Sequence, residues 1–193
     1  MKRVIPYVIL LTIVVQSCAT YKLQYDNNYK EGASSQSGKK IHTFFLVGDA
    51  GNGVFKDSLN NSNALKNNLN NADKNSTLLY LGDNIYPSGM PNNKDITRNE
   101  AENKLQEQID IATSFKGKTI FIPGNHDWYS NGNEGLKRQQ EYVESKLGKK
   151  SFLPKNGCPI ESIDITEDIT LIIVDSQWYI TNWDNHPTIN ENC

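Results

Sequence analysis

From Ile41 onward, short apolar runs alternate with stretches in which apolar residues recur every three or four positions, so strands and helices are expected in turn. Ile41 to Val47, rich in β-branched and aromatic residues, reads as a strand. A helix is expected from about Lys56 to Asn70, with Leu59, Leu65 and Leu69 on its apolar side. Thr77 to Leu81 is a near-continuous apolar run, the pattern of a strand buried on both faces. A long loop containing Pro87, Gly89 and Pro91 follows. Ala101, Leu105, Ile109 and Ala112 then make one stripe on a helix from about Thr97 to Phe115. Thr119 to Ile122 is a third strand closed by Pro123, and Glu134 to Leu147 is a helix stopped by Gly148. Ile160 to Ile165 and Ile169 to Val174 read as an antiparallel pair around Glu167 and Asp168. The order strand–helix–strand–helix–strand calls for right-handed crossovers and a parallel core, an α/β fold.

The segment before this pattern has a different character. Lys2 and Arg3 precede an apolar stretch, Val4 to Val15, shorter than the roughly 20 residues that span a bilayer. It ends in Val15-Gln16-Ser17-Cys18, which resembles a bacterial lipoprotein signal in which Cys18 is lipidated, although Gln16 replaces the usual small or hydroxyl residue. The expected organisation is a signal peptide over 1–17, an anchor site and polar, Gly/Ser-rich tether over 18–40, and a folded domain over 41–193. The protein is then held at the bacterial cell envelope, with the membrane as a partner through the lipid on Cys18. An ordinary secretory signal is the alternative, and either reading exports the chain. An oxidising compartment would let Cys158 and Cys193 pair; two free thiols are the other possibility.

Composition excludes little. The 193 residues allow one ordinary domain plus tails, and 20 basic residues against 22 acidic ones give no bulk electrostatic case for a nucleic-acid partner.

The chemistry lies in three short segments, each directly after a strand: Gly48-Asp49-Ala50-Gly51, Gly82-Asp83-Asn84-Ile85-Tyr86 and Gly124-Asn125-His126-Asp127. Parallel sheets place ligand sites at such strand ends. A lone Gly-Asp pair would be read as a turn aspartate capping the next helix. Asp49 and Asp83 on neighbouring strand ends would repel each other unless a cation lay between them. Asn125 offers a neutral oxygen to a metal. His126 can orient or protonate a phosphate oxygen, and Asp127 can hold its imidazole in one tautomer. A nucleotide-binding turn fits worse, because Gly48, Gly51 and Gly53 lack the dinucleotide spacing.

Taken together, the three segments resemble the calcineurin-like metallophosphoesterase superfamily, and most closely its purple-acid-phosphatase-like branch, with signatures GDxG, GDxxY and GNHD or GNHE. The resemblance covers roughly Ile41 to Trp178. It implies a β-sandwich-type fold with α-β-β-α layers and phosphoester hydrolysis by a metal-bound hydroxide at a two-metal site. Asp49 would bind the first metal, Asp83 would bridge both, and Tyr86 would be a phenolate ligand if the first metal is iron. Asn125 would bind the second metal, and His126 would contact the phosphate. Iron, zinc or manganese are the metals implied.

The family completes its site with three further histidines, in motifs reading VxxH and GHxH. This chain has only His42, His126 and His186. His42 reads as a strand side chain and His186 as a surface-loop residue. The second half of the domain is thus expected to be missing, leaving exposed apolar surface and a site better suited to magnesium or manganese than to zinc or iron. A non-catalytic envelope lipoprotein that keeps a truncated fold is the competing expectation.

Overall fold

The structure, a computed structural model, describes residues 38–52 and 59–183, with side chains at 59–62 left aside. Three strands, β1 (Thr43–Val47), β2 (Ser76–Tyr80) and β3 (Lys118–Phe121), form a parallel sheet in that order. Helix α1 (Leu59–Asn70) lies between β1 and β2 in the chain, and α2 (Arg98–Ala112) between β2 and β3. The expected start of α1, Lys56 to Ser58, lies outside the described residues. Beyond β3 come a four-residue helix, α3 (Asn125–Trp128), and then α4 (Gly132–Leu147). A hairpin of β4 (Ile160–Thr166) and β5 (Ile169–Val174) follows, and a short helix α5 (Ser176–Ile180) is the last described element.

The mixed α/β architecture with a parallel sheet matches part of a metallophosphoesterase fold. Residue type explains the layering. Every residue of β2 is buried, because the central strand has a neighbour on each side and a layer on each face. Leu78, Tyr80 and Phe121 turn toward the helices, where they meet Leu105 and Ile109 of α2 and Leu136 and Val143 of α4. Tyr80 stacks on Phe121 with ring centroids 4.3 Å apart. Leu79 and Ile120 turn the other way and pack against Leu153 and Ile173, so the hairpin covers the second face. Beyond that cover, Leu46, Leu81, Ile172, Val174 and Ile180 are exposed large apolar side chains. Among the described residues no helix is long and apolar enough to cross a membrane.

Cys158 is buried and disulfide-bonded. Cys18 and Cys193 both lie outside the described residues, as does His186. His42 sits just before β1, half-buried, with Nε2 3.0 Å from Thr77 Oγ1 and its ring against Phe44.

Candidate metal centre

Register brings the three loops together. Val47 pairs with Tyr80 and Tyr80 with Phe121, so β1, β2 and β3 end level and their loops leave from one edge. Backbone hydrogen bonds then join the loops: Asp49 N–H donates to Gly82 O at 3.3 Å, Gly51 N–H to Asp83 O at 2.9 Å, and Tyr86 N–H to Gly51 O at 3.2 Å. Contact this close excludes side chains. A Cβ on Gly51 would lie 2.3 Å from the carbonyl carbon of Asn84, and one on Gly124 would lie 2.3 Å from Asp83 Oδ1. Both aspartates take left-handed backbone, φ 56° at Asp49 and 53° at Asp83. Asp adopts this region more readily than most residues, but it is still uncommon and marks a local constraint.

The side chains converge as the spacing predicts. The Tyr86 hydroxyl lies 2.6 Å from Asp49 Oδ1 and 2.8 Å from Asp83 Oδ2. The other oxygen of Asp83 accepts the backbone N–H of His126 at 3.0 Å, so Asp83 touches both the second and the third loop. Asp49, Asp83 and Asn125 line one cleft of about 740 Å³, whose far wall is Ile172, Val174 and Ile180. Side-chain hydrogen bonds to Asp49 and Asp83 push the Tyr86 phenol above its usual range, since ionising it beside two carboxylates adds a third negative charge.

Donor chemistry decides whether a metal fits. One phenol proton faces two carboxylates, and it can satisfy only one of them at a time. A cation among these oxygens would remove that shortfall and reverse the pressure on the phenol. The set of two carboxylates, a phenol and an amide oxygen suits a hard divalent ion whose remaining positions are taken by water. Among the described residues no group of three or more His, Cys, Asp or Glu side chains gathers at one point. The visible donors therefore make a partial, oxygen-rich site.

His126 sits between two aromatic rings, 4.3 Å from Tyr86 and 4.9 Å from Tyr129, centroid to centroid. Its Nδ1 is 2.6 Å from Pro87 O. A carbonyl can only accept, so Nδ1 carries the proton and Nε2 is left for a ligand.

Asp127 needs correction. It is not the group that orients His126, because its carboxylate is fully buried and turned inward. Oδ1 accepts from Asn84 N–H at 3.1 Å and Ile85 N–H at 3.2 Å, and Oδ2 from Gly124 N–H at 2.8 Å and the Asn84 amide at 3.2 Å. It fastens the second loop to the third, and the Pro87 carbonyl holds the imidazole instead. Burial pushes the Asp127 carboxyl up to about 6, against the N–H donors of Gly124 and Asn84, which favour the anion.

Two other residues escaped the sequence reading. The Tyr129 hydroxyl accepts the Asn125 amide N–H at 2.7 Å, which leaves the Asn125 oxygen free. The spacing of four on a helical turn was the available signal. Asn84 is fully buried and donates to Ile122 O at 2.8 Å. Nothing local in the sequence separates it from an exposed loop asparagine.

Comparison with protein families matches residues 42–192 to the calcineurin-like phosphoesterases. The chain belongs to this family. No curated protein and no solved structure matches it. As a calcineurin-like phosphoesterase domain it is a hydrolase of phosphoesters of a metal-dependent type.

Proposed function

We propose that this calcineurin-like phosphoesterase hydrolyses phosphoesters at a two-metal site of the purple-acid-phosphatase type, held by Asp49, Asp83, Tyr86 and Asn125. The observation that carries the reading is the Tyr86 hydroxyl within hydrogen-bonding distance of both Asp49 and Asp83, at a cleft that Asn125 also lines. Tyr86 at this point is what favours the purple-acid-phosphatase-like branch. Bound metal ions supply Lewis-acid activation of water and neutralise charge on the phosphoryl oxygens.

The protein's own residues do the rest. Asp49 and Asp83 hold negative charge where cations gather, and the fixed loops spare the site any rearrangement. His126, with Nδ1 tied to Pro87 O, presents Nε2 to the ester. As imidazolium it donates that proton to the leaving oxygen as the P–O bond breaks and the water oxygen bonds to phosphorus. Magnesium or manganese suits this oxygen-rich set best, and iron would use Tyr86 as a phenolate. The N-terminal sequence supports export and a lipid on Cys18, which places the domain at the bacterial envelope. Pairing of Cys158 with Cys193 remains part of the proposal.

The test is hydrolysis of a chromogenic phosphomonoester by the full chain with added manganese, magnesium, zinc or iron. Activity that needs metal and disappears in Asp83→Asn, while Ser88→Ala retains it, supports the reading. Equal activity in all three proteins contradicts it. One observation favours a second reading, a non-catalytic envelope lipoprotein: among the described residues the metal-binding side chains are few. That reading predicts no metal-dependent turnover with any of the four ions.

A further inference from the structure

We propose that the end of the sheet opposite the three loops docks on an anionic phospholipid bilayer, an inference that rests on the lipid-anchor reading of Cys18. Because the three strands are parallel, their N-terminal ends all lie at that edge. The domain's compact unit begins there, at Lys40, whose ammonium lies 3.8 Å from Asp73 just before β2. Lys74 precedes β2, Lys116 precedes β3 and Lys118 opens it, all exposed. The C-terminal turn of α4 adds Lys146, with Lys149 and Lys150 directly after it, also exposed.

These charges share a surface. Lys118, Lys146, Lys149 and Lys150 border one cleft of about 370 Å³ whose lining contains no carboxylate. The acidic groups nearby are Asp73, Glu141, Glu144, Glu161 and Asp164. Asp73 faces Lys40, and Glu144 pairs with Lys149 at 2.8 Å while accepting the Lys150 backbone N–H at 3.0 Å. Glu144, Glu161 and Asp164 line a second cleft together with Lys118, Lys149, Lys150 and Lys155. Lys74, Lys116, Lys118 and Lys150 make no ion pair among the described residues.

The chain as a whole carries a formal charge of −2, so this excess of lysine is a local asymmetry. Attraction of the lysine end to anionic lipid turns the loops at the opposite edge toward solution. The stretch from Cys18 to Lys40 reaches at most roughly 75 Å when fully extended, so an anchored domain stays close to the surface. One lipid chain holds a protein only marginally, and a basic patch is the kind of second signal that makes anchoring stable. The consequence for the site is that soluble phosphoesters, not lipid headgroups, reach the loops.

The test is sedimentation of the full chain with vesicles of phosphatidylcholine alone or with one third phosphatidylglycerol. Wild-type protein is expected to bind the anionic vesicles at least tenfold better at low salt, and the difference should vanish near 1 M salt, where the Debye length is about 3 Å. Each of Lys116→Gln, Lys118→Gln and Lys150→Gln should lower that ratio by roughly fivefold until none remains, whereas Lys94→Gln should leave it unchanged. Far-ultraviolet circular dichroism confirms that each variant is folded. A ratio of one for wild type, a ratio insensitive to the three lysines, or equal affinity for duplex DNA would overturn the proposal. Cys18→Ser on phosphatidylcholine alone tests the anchor separately: unchanged binding there sinks the lipid reading, and the anionic ratio still decides the lysine surface.

Discussion

Tyr86 stands nearer the proposed chemistry than its place in a loop indicates, since its hydroxyl lies within hydrogen-bonding distance of both Asp49 and Asp83. Its replacement by Phe should leave the fold intact and weaken metal retention, read as a several-fold rise in the metal concentration needed for half-maximal activity. His126→Ala should lower turnover by roughly a hundredfold, the scale of one general acid, with metal content unchanged. Loss of metal in that variant would make His126 a ligand. Tyr129→Phe separates two roles of one side chain: it keeps the ring on His126 and removes the oxygen that holds the Asn125 amide. A fall in metal affinity without a change in the pH profile is expected, measured by metal titration of activity. Which donors converge was legible at this scale, because Asp49, Asp83 and Asn125 each follow an apolar strand at a short, similar distance. What Asp127 touches was not, since its partners Asn84 and Ile85 lie more than forty positions earlier in the chain.

The elements explain why the donors are fixed. Gly51 lets the first loop lie against the Asn84–Ile85 peptide, and a methyl group there would overlap backbone atoms at 2.3–2.4 Å. Gly51→Ala should therefore cost about 1–3 kcal/mol of stability, the range for an unaccommodated extra methyl, and should reduce activity more than it lowers the melting temperature. Chemical denaturation and phosphoester hydrolysis on the same preparation check both. The strands and the hairpin were readable because continuous apolar runs and a polar turn are local signals. The helix Asn125–Trp128 was not, because it is one turn long and its N-cap, Gly124, has no side chain to mark the start; the Gly124 N–H is satisfied by Asp127 three residues on. The link from Trp128 Nε1 to Asp175 Oδ2, at 2.9 Å, is equally invisible in sequence; it ties the third loop to the start of α5.

At the scale of the whole molecule, burial raises the Asp175 carboxyl to about 6, against hydrogen bonds from Trp128, Trp178 and Gln177. A carboxyl whose folded value exceeds its unfolded value binds its proton more tightly when folded, so stability falls as pH rises between about 4 and 6. The protein should therefore gain melting temperature on acidification from pH 7 to about pH 5, and Asp175→Asn should reduce that rise while leaving the share of Asp127, whose buried carboxyl is raised in the same way. Below about pH 4 the lowered carboxyls of Asp95 and Glu100 act in the opposite sense. The apolar side chains at Leu46, Leu81, Ile172, Val174 and Ile180 agree with the expected exposed surface beside the site. The most direct test of the proposed metal site is metal content per full chain, purified without chelators. Two metal ions per wild-type chain, lost in Asp83→Asn while the fold persists, is the predicted result. A folded wild-type chain with near-zero metal, and none taken up on adding manganese, magnesium, zinc or iron, would contradict the account.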